Sequence, residues 1–159
     1  MKRGTAAIGS IVFFVAAPGT VAGLIPWWLT GWQVEGAWLP LQVVGALVIA
    51  AGLAVLVQAF VRFVVDGFGT PAPVAPTDEL VVSGLYRHVR NPMYVAVVSI
   101  IAGQALLLGQ PALLVYAALM WAVFAVFVRV YEEPTLRETY GAQYEAYRRA
   151  VPAWLPRLR

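Results

Sequence analysis

The chain is 159 residues long, 61% hydrophobic and only 12% charged, against roughly 25% charged in an average soluble domain. A soluble fold this small has too much surface for its volume to hide that apolar content, which excludes a disordered tail, a secreted disulfide scaffold and an ordinary cytosolic enzyme; lipid is part of the solvent. There is no cysteine, so thiolate catalysis, iron–sulfur clusters and cysteine zinc sites are excluded, and a net charge of only +3 points to no nucleic-acid partner.

Lys2 and Arg3 precede 31 residues without a charge, positions 4–34, and a second uncharged run of 26 covers 36–61. A membrane-crossing helix takes about 20 apolar residues, because the hydrocarbon layer is about 30 Å thick and each residue rises about 1.5 Å. The two runs predict spans at 6–29 and 39–61, with Pro18 bending the first. The first run is too long for a cleaved signal peptide, whose apolar core is about 7–15 residues. Trp27, Trp28, Trp32 and Trp38 gather between these spans, where amphipathic rings sit at a membrane interface.

The segment 62–91 follows as a polar loop. It holds Asp66-Gly67-Phe68-Gly69 and then Thr70-Pro71-Ala72-Pro73-Val74-Ala75-Pro76, whose three prolines favour an extended path. Gly67 and Gly69 permit either a close backbone approach to a ligand or a sharp exit from the second span. A cap and short turn over 77–84 lead to Leu85-Tyr86-Arg87-His88-Val89-Arg90-Asn91-Pro92-Met93-Tyr94. Pro92 suits a first helical turn and Asn91 its cap. This cluster of cations, an amide and two tyrosines serves either a ligand site or an anchor on lipid phosphates. His88 makes no metal site, having no second histidine or cysteine to join it.

A third uncharged run, 91–128, has 38 residues, about 57 Å as one helix and too long for one span. Gly109-Gln110-Pro111 breaks it, predicting a tight hairpin of spans 93–108 and 112–128. The tail, 129–159, opens with Arg129-Val130-Tyr131-Glu132-Glu133-Pro134, and Pro134 kinks or restarts the helix by removing a hydrogen bond to residue 130. Beyond it Leu136, Tyr140, Tyr144, Tyr147 and Val151 share one helical face with Glu133. That pattern reads as an amphipathic helix laying a tyrosine stripe in the headgroups. Pro152, Trp154 and Pro156 end it.

The expected fold is therefore all-α: one membrane domain, 1–159, a bundle of four transmembrane helices with a cytoplasmic amphipathic C-terminal helix. Four spans put both termini on one side with all eleven Lys and Arg, and leave Glu35 as the charged residue of the other. The positive-inside rule makes the basic side cytoplasmic, as in a bacterial-type inner membrane. No Asp, Glu, Lys, Arg or His lies within the spans, which speaks against ion-coupled transport. The hairpin brings Pro92 and Glu133 out at one surface, so a cationic and amide cluster faces a carboxylate pair. Such a site suits a ligand with a carboxylate, a cation and a hydroxylated sugar: Arg90 for the carboxylate, Glu132 or Glu133 for ribose hydroxyls, tyrosines beside a flat base. S-adenosylmethionine fits that description, although physics alone does not single it out.

Gly67-x-Gly69-Thr-Pro-x-Pro, followed by Gly84-x-Tyr86-Arg87-x-Val89-Arg90-Asn91-Pro92-Met93-Tyr94, resembles the integral-membrane methyltransferases. That group includes isoprenylcysteine carboxyl methyltransferase and phosphatidylethanolamine N-methyltransferase. Tyr131-Glu132-Glu133-Pro134 is similar to their paired-glutamate motif. Tyr140-Gly141-x-x-Tyr144-x-x-Tyr147 with Val151-Pro152-x-Trp154-x-Pro156 is similar to the tail of the isoprenylcysteine branch. The resemblance implies S-adenosylmethionine-dependent methyl transfer, at the cytoplasmic face, to a lipid or membrane-partitioned amine or carboxylate. It implies Gly67, Gly69, Tyr86, Arg90, Asn91, Pro92, Tyr94, Glu132 and Glu133 as cofactor-binding residues, with His88 and Arg90 as candidate catalytic groups and no metal. Asn91, in place of the His of many isoprenylcysteine enzymes, matches the phospholipid branch better. Ala96, where many members have Gly, narrows the room expected near the cofactor. The competing readings are a nicotinamide-dependent membrane reductase and a non-enzymatic scaffold working through the basic, tyrosine-rich tail.

Overall fold

The computed structural model describes residues 3–66 and 79–157, and among these it is helical with no strand. Gly67, Gly69 and the proline run 70–76 lie outside the described residues. Helix α1 (Arg3–Gly19) passes through one π-helical turn, Thr20–Leu24, into α2 (Ile25–Thr30). Then come α3 (Leu39–Val65), a 3-10 turn at Gly84–Arg87, α4 (Pro92–Leu108) and α5 (Pro111–Phe127). A second π turn, Val128–Glu132, carries α5 into α6 (Glu133–Tyr140), and α7 (Ala142–Ala150) follows. Among the described residues three stretches are long and apolar enough to cross a membrane: Ile11–Thr30, Leu39–Val65 and Pro111–Tyr140. Helix α4 is apolar but has only 17 residues, about 26 Å.

Helices α3 and α4 run antiparallel with their backbones in close approach. A Cβ at Gly45 would lie 2.5 Å from the Leu107 backbone nitrogen, and one at Gly103 would lie 2.9 Å from the Gly45 carbonyl oxygen. Small residues let backbones meet where lipid supplies no hydrophobic drive for helix pairing. Ala96 belongs to this seam: it is 2% exposed, and its carbonyl lies 3.2 Å from where a Gly52 Cβ would stand. It packs against α3, which corrects the expectation that it narrows a ligand space.

One end of the bundle is closed by the α4–α5 turn and the loop before α3. Gly109 takes φ +66° and ends α4. The Glu35 amide donates to the Leu108 carbonyl at 2.8 Å, and Gln110 Nε2 donates to the Gln33 carbonyl at 3.0 Å. At the other end the chain returns against the foot of α3. There Ala59, Val81 and Tyr86 form a small buried cluster, with Phe63 edge-on to Tyr86 at 5.4 Å between ring centroids. Gly84 takes φ +57° beside the Arg62 side chain, and Asp66 receives both Arg62 (3.6 Å) and the Ser83 hydroxyl.

Two features depart from the sequence expectation. The first span's irregularity is a π turn after Pro18, and the missing N–H of Pro26 explains it. Pro26 cannot serve the carbonyl five residues back, Val21, or four back, Ala22. Side chains from α5 and α4 do so instead: Tyr116 Oη donates to the Val21 carbonyl at 2.7 Å and Gln104 Nε2 to the Ala22 carbonyl at 2.6 Å. The tail, in turn, is two helices rather than one. Gly141 (φ +52°, ψ −124°) breaks it, and Tyr144, only 2% exposed, turns into the protein instead of towards headgroups.

Candidate active site

The residues that lead into α4 meet those that leave α5. Arg90 Nη1 donates to Glu133 Oε1 at 2.8 Å and to the Tyr144 hydroxyl at 3.1 Å, while its Nε donates to the Val151 carbonyl at 3.0 Å. Tyr94 Oη donates to Glu132 Oε2 at 2.9 Å. Glu133 also faces Arg148 at 3.7 Å, and Arg148 and Arg137 both face Glu145, at 3.8 and 2.7 Å. The two glutamates thus divide the work: Glu133 ties α6 and α7 to Arg90, and Glu132 turns towards α4.

The C-terminal segment is laced onto the same corner. The Arg90 amide donates to the Pro152 carbonyl at 2.9 Å and the Asn91 amide to the Ala153 carbonyl at 3.3 Å. Asn91 occupies the N-cap position of α4, yet its side chain makes no cap; Nδ2 donates to the Ala153 carbonyl at 3.1 Å. The Ala153 carbonyl thus accepts from both the backbone and the side-chain amide of Asn91, using both of its lone pairs. Tyr147 Oη donates to the Tyr86 carbonyl at 2.7 Å. Burial pushes the Tyr86 hydroxyl well above its ordinary range, and the nearby Tyr147 adds to this; Tyr147 is raised by burial too, against the pull of Arg90. Tyr144 is raised by burial and drawn back by Arg90. All three remain neutral hydroxyls at physiological pH.

Above this corner lies a cavity of about 120 Å³, smaller than the usual site for a drug-sized ligand. Its polar end is formed by Tyr86, Arg90, Asn91, Pro92, Tyr94 and Glu132. The rest is apolar: Phe60 and Phe63 of α3, Met93 and Val97 of α4, Phe124 of α5, and Phe13, Ala17, Pro18 and Val21 of the first rod. Six of the residues assigned from sequence therefore share one cavity. Glu133 stands behind them as a partner of Arg90. His88 is not among the lining residues; its ring Nδ1 lies 3.2 Å from the Arg157 carbonyl. Gly67 and Gly69 lie outside the described residues. Sequence reasoning missed the apolar wall from α1 and α3, whose Phe and Val residues look like any other lipid-facing positions. It noticed the tyrosine stripe and aimed it the wrong way.

The apolar helices and the polar corner at one end define an integral membrane protein of the helical class, with a cavity at that corner. Residues 39–143 match the phospholipid methyltransferase family, and the chain belongs to that family. Among curated proteins, protein-S-isoprenylcysteine O-methyltransferase of Schizosaccharomyces pombe is 35% identical over 78 residues, covering 48% of this chain and 33% of that protein. Protein-S-isoprenylcysteine O-methyltransferase B of Arabidopsis thaliana is 32% identical over 79 residues, covering 49% of this chain and 40% of the relative. The match thus takes in less than half the length of each of these two relatives.

Proposed function

We propose that this protein is a membrane methyltransferase that takes S-adenosylmethionine from the cytoplasmic side and methylates a lipid or lipid-like acceptor. The reading includes four spans in a bacterial-type inner membrane, with both termini cytoplasmic. The observation that carries it is the meeting of Tyr94 with Glu132, at 2.9 Å, on the wall of a cavity that is otherwise apolar and aromatic. That donor set fits a nucleoside sulfonium: a carboxylate for hydroxyls and positive charge, aromatic faces for a base, and apolar walls that exclude water.

When bound, S-adenosylmethionine supplies an electrophilic methyl group for in-line transfer, which needs no metal. The chain's own residues align and shield. Tyr94 fixes one oxygen of Glu132, leaving the carboxylate oriented for a ligand hydroxyl or cation. Phe60, Phe63 and Phe124 keep water from the reacting groups. Arg90 is held by Glu133, Tyr144 and the Val151 carbonyl, so its role is to keep the corner closed. If the acceptor is an amine, Glu132 is the cavity-lining carboxylate placed to take its proton; a carboxylate acceptor needs no base. His88, bound at the Arg157 carbonyl, faces another way. The acceptor's apolar part enters sideways from the membrane between α1 and α3, along Phe13, Val21 and Phe60. The isoprenylcysteine named for the two relatives has this kind of chain.

Calorimetric titration of S-adenosylmethionine into the detergent-solubilised protein tests the reading. Glu132→Gln and Asn91→Ala are each expected to weaken binding by about tenfold or more, 1.4 kcal/mol at least. Wild-type affinity in both variants, or no binding to the wild type, rejects it.

A further inference from the structure

The far wall of the cavity is held by groups that do not touch it. Val21 lines the cavity, and its own carbonyl and that of Ala22 are the two that Pro26 deprives of an N–H donor. Their donors come from deeper in the bundle. Gln104 follows the lining residue Val97 by seven positions and Tyr116 precedes the lining residue Phe124 by eight, so both lie about 10–12 Å further towards the outer turn. Gln104 is 8% exposed and completely committed: Nε2 donates to the Ala22 carbonyl at 2.6 Å, and Oε1 accepts from Trp32 Nε1 at 3.1 Å. Tyr116 Oη reaches the Val21 carbonyl at 2.7 Å.

We infer that Gln104 and Tyr116 are positioning residues that fix the cavity's apolar wall at Ala17–Val21 and thereby set the longest apolar chain an acceptor can insert. The inference rests on the methyl-transfer reading for the identity of the acceptor, but its geometry stands on this clamp. Without these donors both carbonyls are unpaired in a low-dielectric interior. The local remedy for Val21 is to rewind the π turn, so that the Ile25 N–H, now on the Thr20 carbonyl, serves it. Ala22, four residues before Pro26, gains no donor that way, and its segment must shift to find one. Rewinding rotates Val21 away from its present place on the wall. The cavity then runs on towards Gln104 and Tyr116 themselves.

The test uses the full chain in nanodiscs and two probe series, N-acetyl-S-alkylcysteines and lysophosphatidylethanolamines, each with increasing chain length. Binding is read by native mass spectrometry, and S-adenosylmethionine binding is measured on the same samples. For the wild type, each added methylene is expected to tighten binding by about fourfold until a cut-off, beyond which the gain stops. Tyr116→Phe and Gln104→Leu move that cut-off to longer chains and leave the shortest probes unaffected. Val21→Phe, which leaves both donors in place, moves it to shorter chains and decides the matter should the clamp variants fail to fold. A wild type without a cut-off in either series overturns the inference, as does an unmoved cut-off in the variants or a loss that is equal at every chain length. Loss of S-adenosylmethionine binding by the wild type, with the cut-off intact, instead rejects the methyl-transfer reading and leaves the chain-length gauge standing.

Discussion

Arg90 is the residue on which the corner turns. Its side chain is 11% exposed and that of Glu133 13%, so the pair is largely shielded from water. Removing one partner of a buried pair leaves an uncompensated charge, at about 3–5 kcal/mol, whereas replacing both by apolar groups is far milder. Arg90→Met is therefore expected to lower stability by that amount, and Arg90→Met with Glu133→Leu by distinctly less. Arg90→Lys falls between, because a lysine keeps the charge but cannot hold Glu133, Tyr144 and the Val151 carbonyl from one planar fork. Thermal unfolding in detergent ranks the three; a double variant as unstable as Arg90→Met denies that Glu133 is Arg90's balancing charge. This residue also marks how far the site was legible. Side chains close in sequence to Pro92 and Pro134 had to meet once the hairpin was recognised, so the pairing of Arg90 and Tyr94 with the glutamates was foreseeable. That Arg90 is consumed by the protein was not, since its partners Tyr144 and Val151 lie 54 and 61 positions away.

At the scale of helices, the α3–α4 seam sets where the site can be, because α4 carries Asn91 to Val97 and α3 carries Phe60 and Phe63. Gly45→Ala puts a methyl group 2.5 Å from the Leu107 nitrogen and 2.6 Å from the Gly103 carbonyl oxygen, both backbone atoms that cannot step aside. Overpacking of this kind costs about 1–3 kcal/mol. Gly23→Ala is the matched control: it lies in the first rod with nothing within 4 Å of the added carbon. That change is expected to be neutral or stabilising by up to about 1 kcal/mol. Chemical denaturation in mixed micelles separates the two, and equal losses would contradict the seam. The helices themselves were readable because charge-free runs and Gly109-Gln110-Pro111 mark their ends. The π turn at Thr20–Leu24 was not, for it depends on donors at Gln104 and Tyr116, more than eighty residues away. The break at Gly141 hid behind a tyrosine spacing that continues across it as though the helix were whole.

For the whole molecule, the short helix is the critical one. At 17 residues α4 is shorter than the hydrocarbon layer, about 30 Å thick, and a lone helix of that length crosses at a cost in mismatch. Here it is not alone: Ala96, Val97, Ile100, Ile101, Ala105 and Leu108 are all buried, so α4 meets protein along most of its length and lipid along little. Its ends are set by its neighbours. Leu108 is bonded to the Glu35 amide beside the N-terminal end of α3, and Arg90, just ahead of α4, is bonded to Glu133 beyond α5. The same two ends therefore bound α3, α4 and α5, and in the proposed four-span arrangement all three cross together. Glu35 then faces one aqueous side, and Glu79 and Arg149, exposed like Glu35, face the other. The chain has no cysteine, so a single introduced thiol reports its own side. In intact spheroplasts, Glu35→Cys is expected to react with a membrane-impermeant maleimide, while Glu79→Cys and Arg149→Cys react only after permeabilisation. The positive-inside rule predicts that direction from the eleven basic residues, because loops rich in Lys and Arg stay in the cytoplasm. Labelling of Glu35→Cys and Arg149→Cys from the same side would mean an even number of crossings between them, and α4 would then have to lie in the membrane without spanning it.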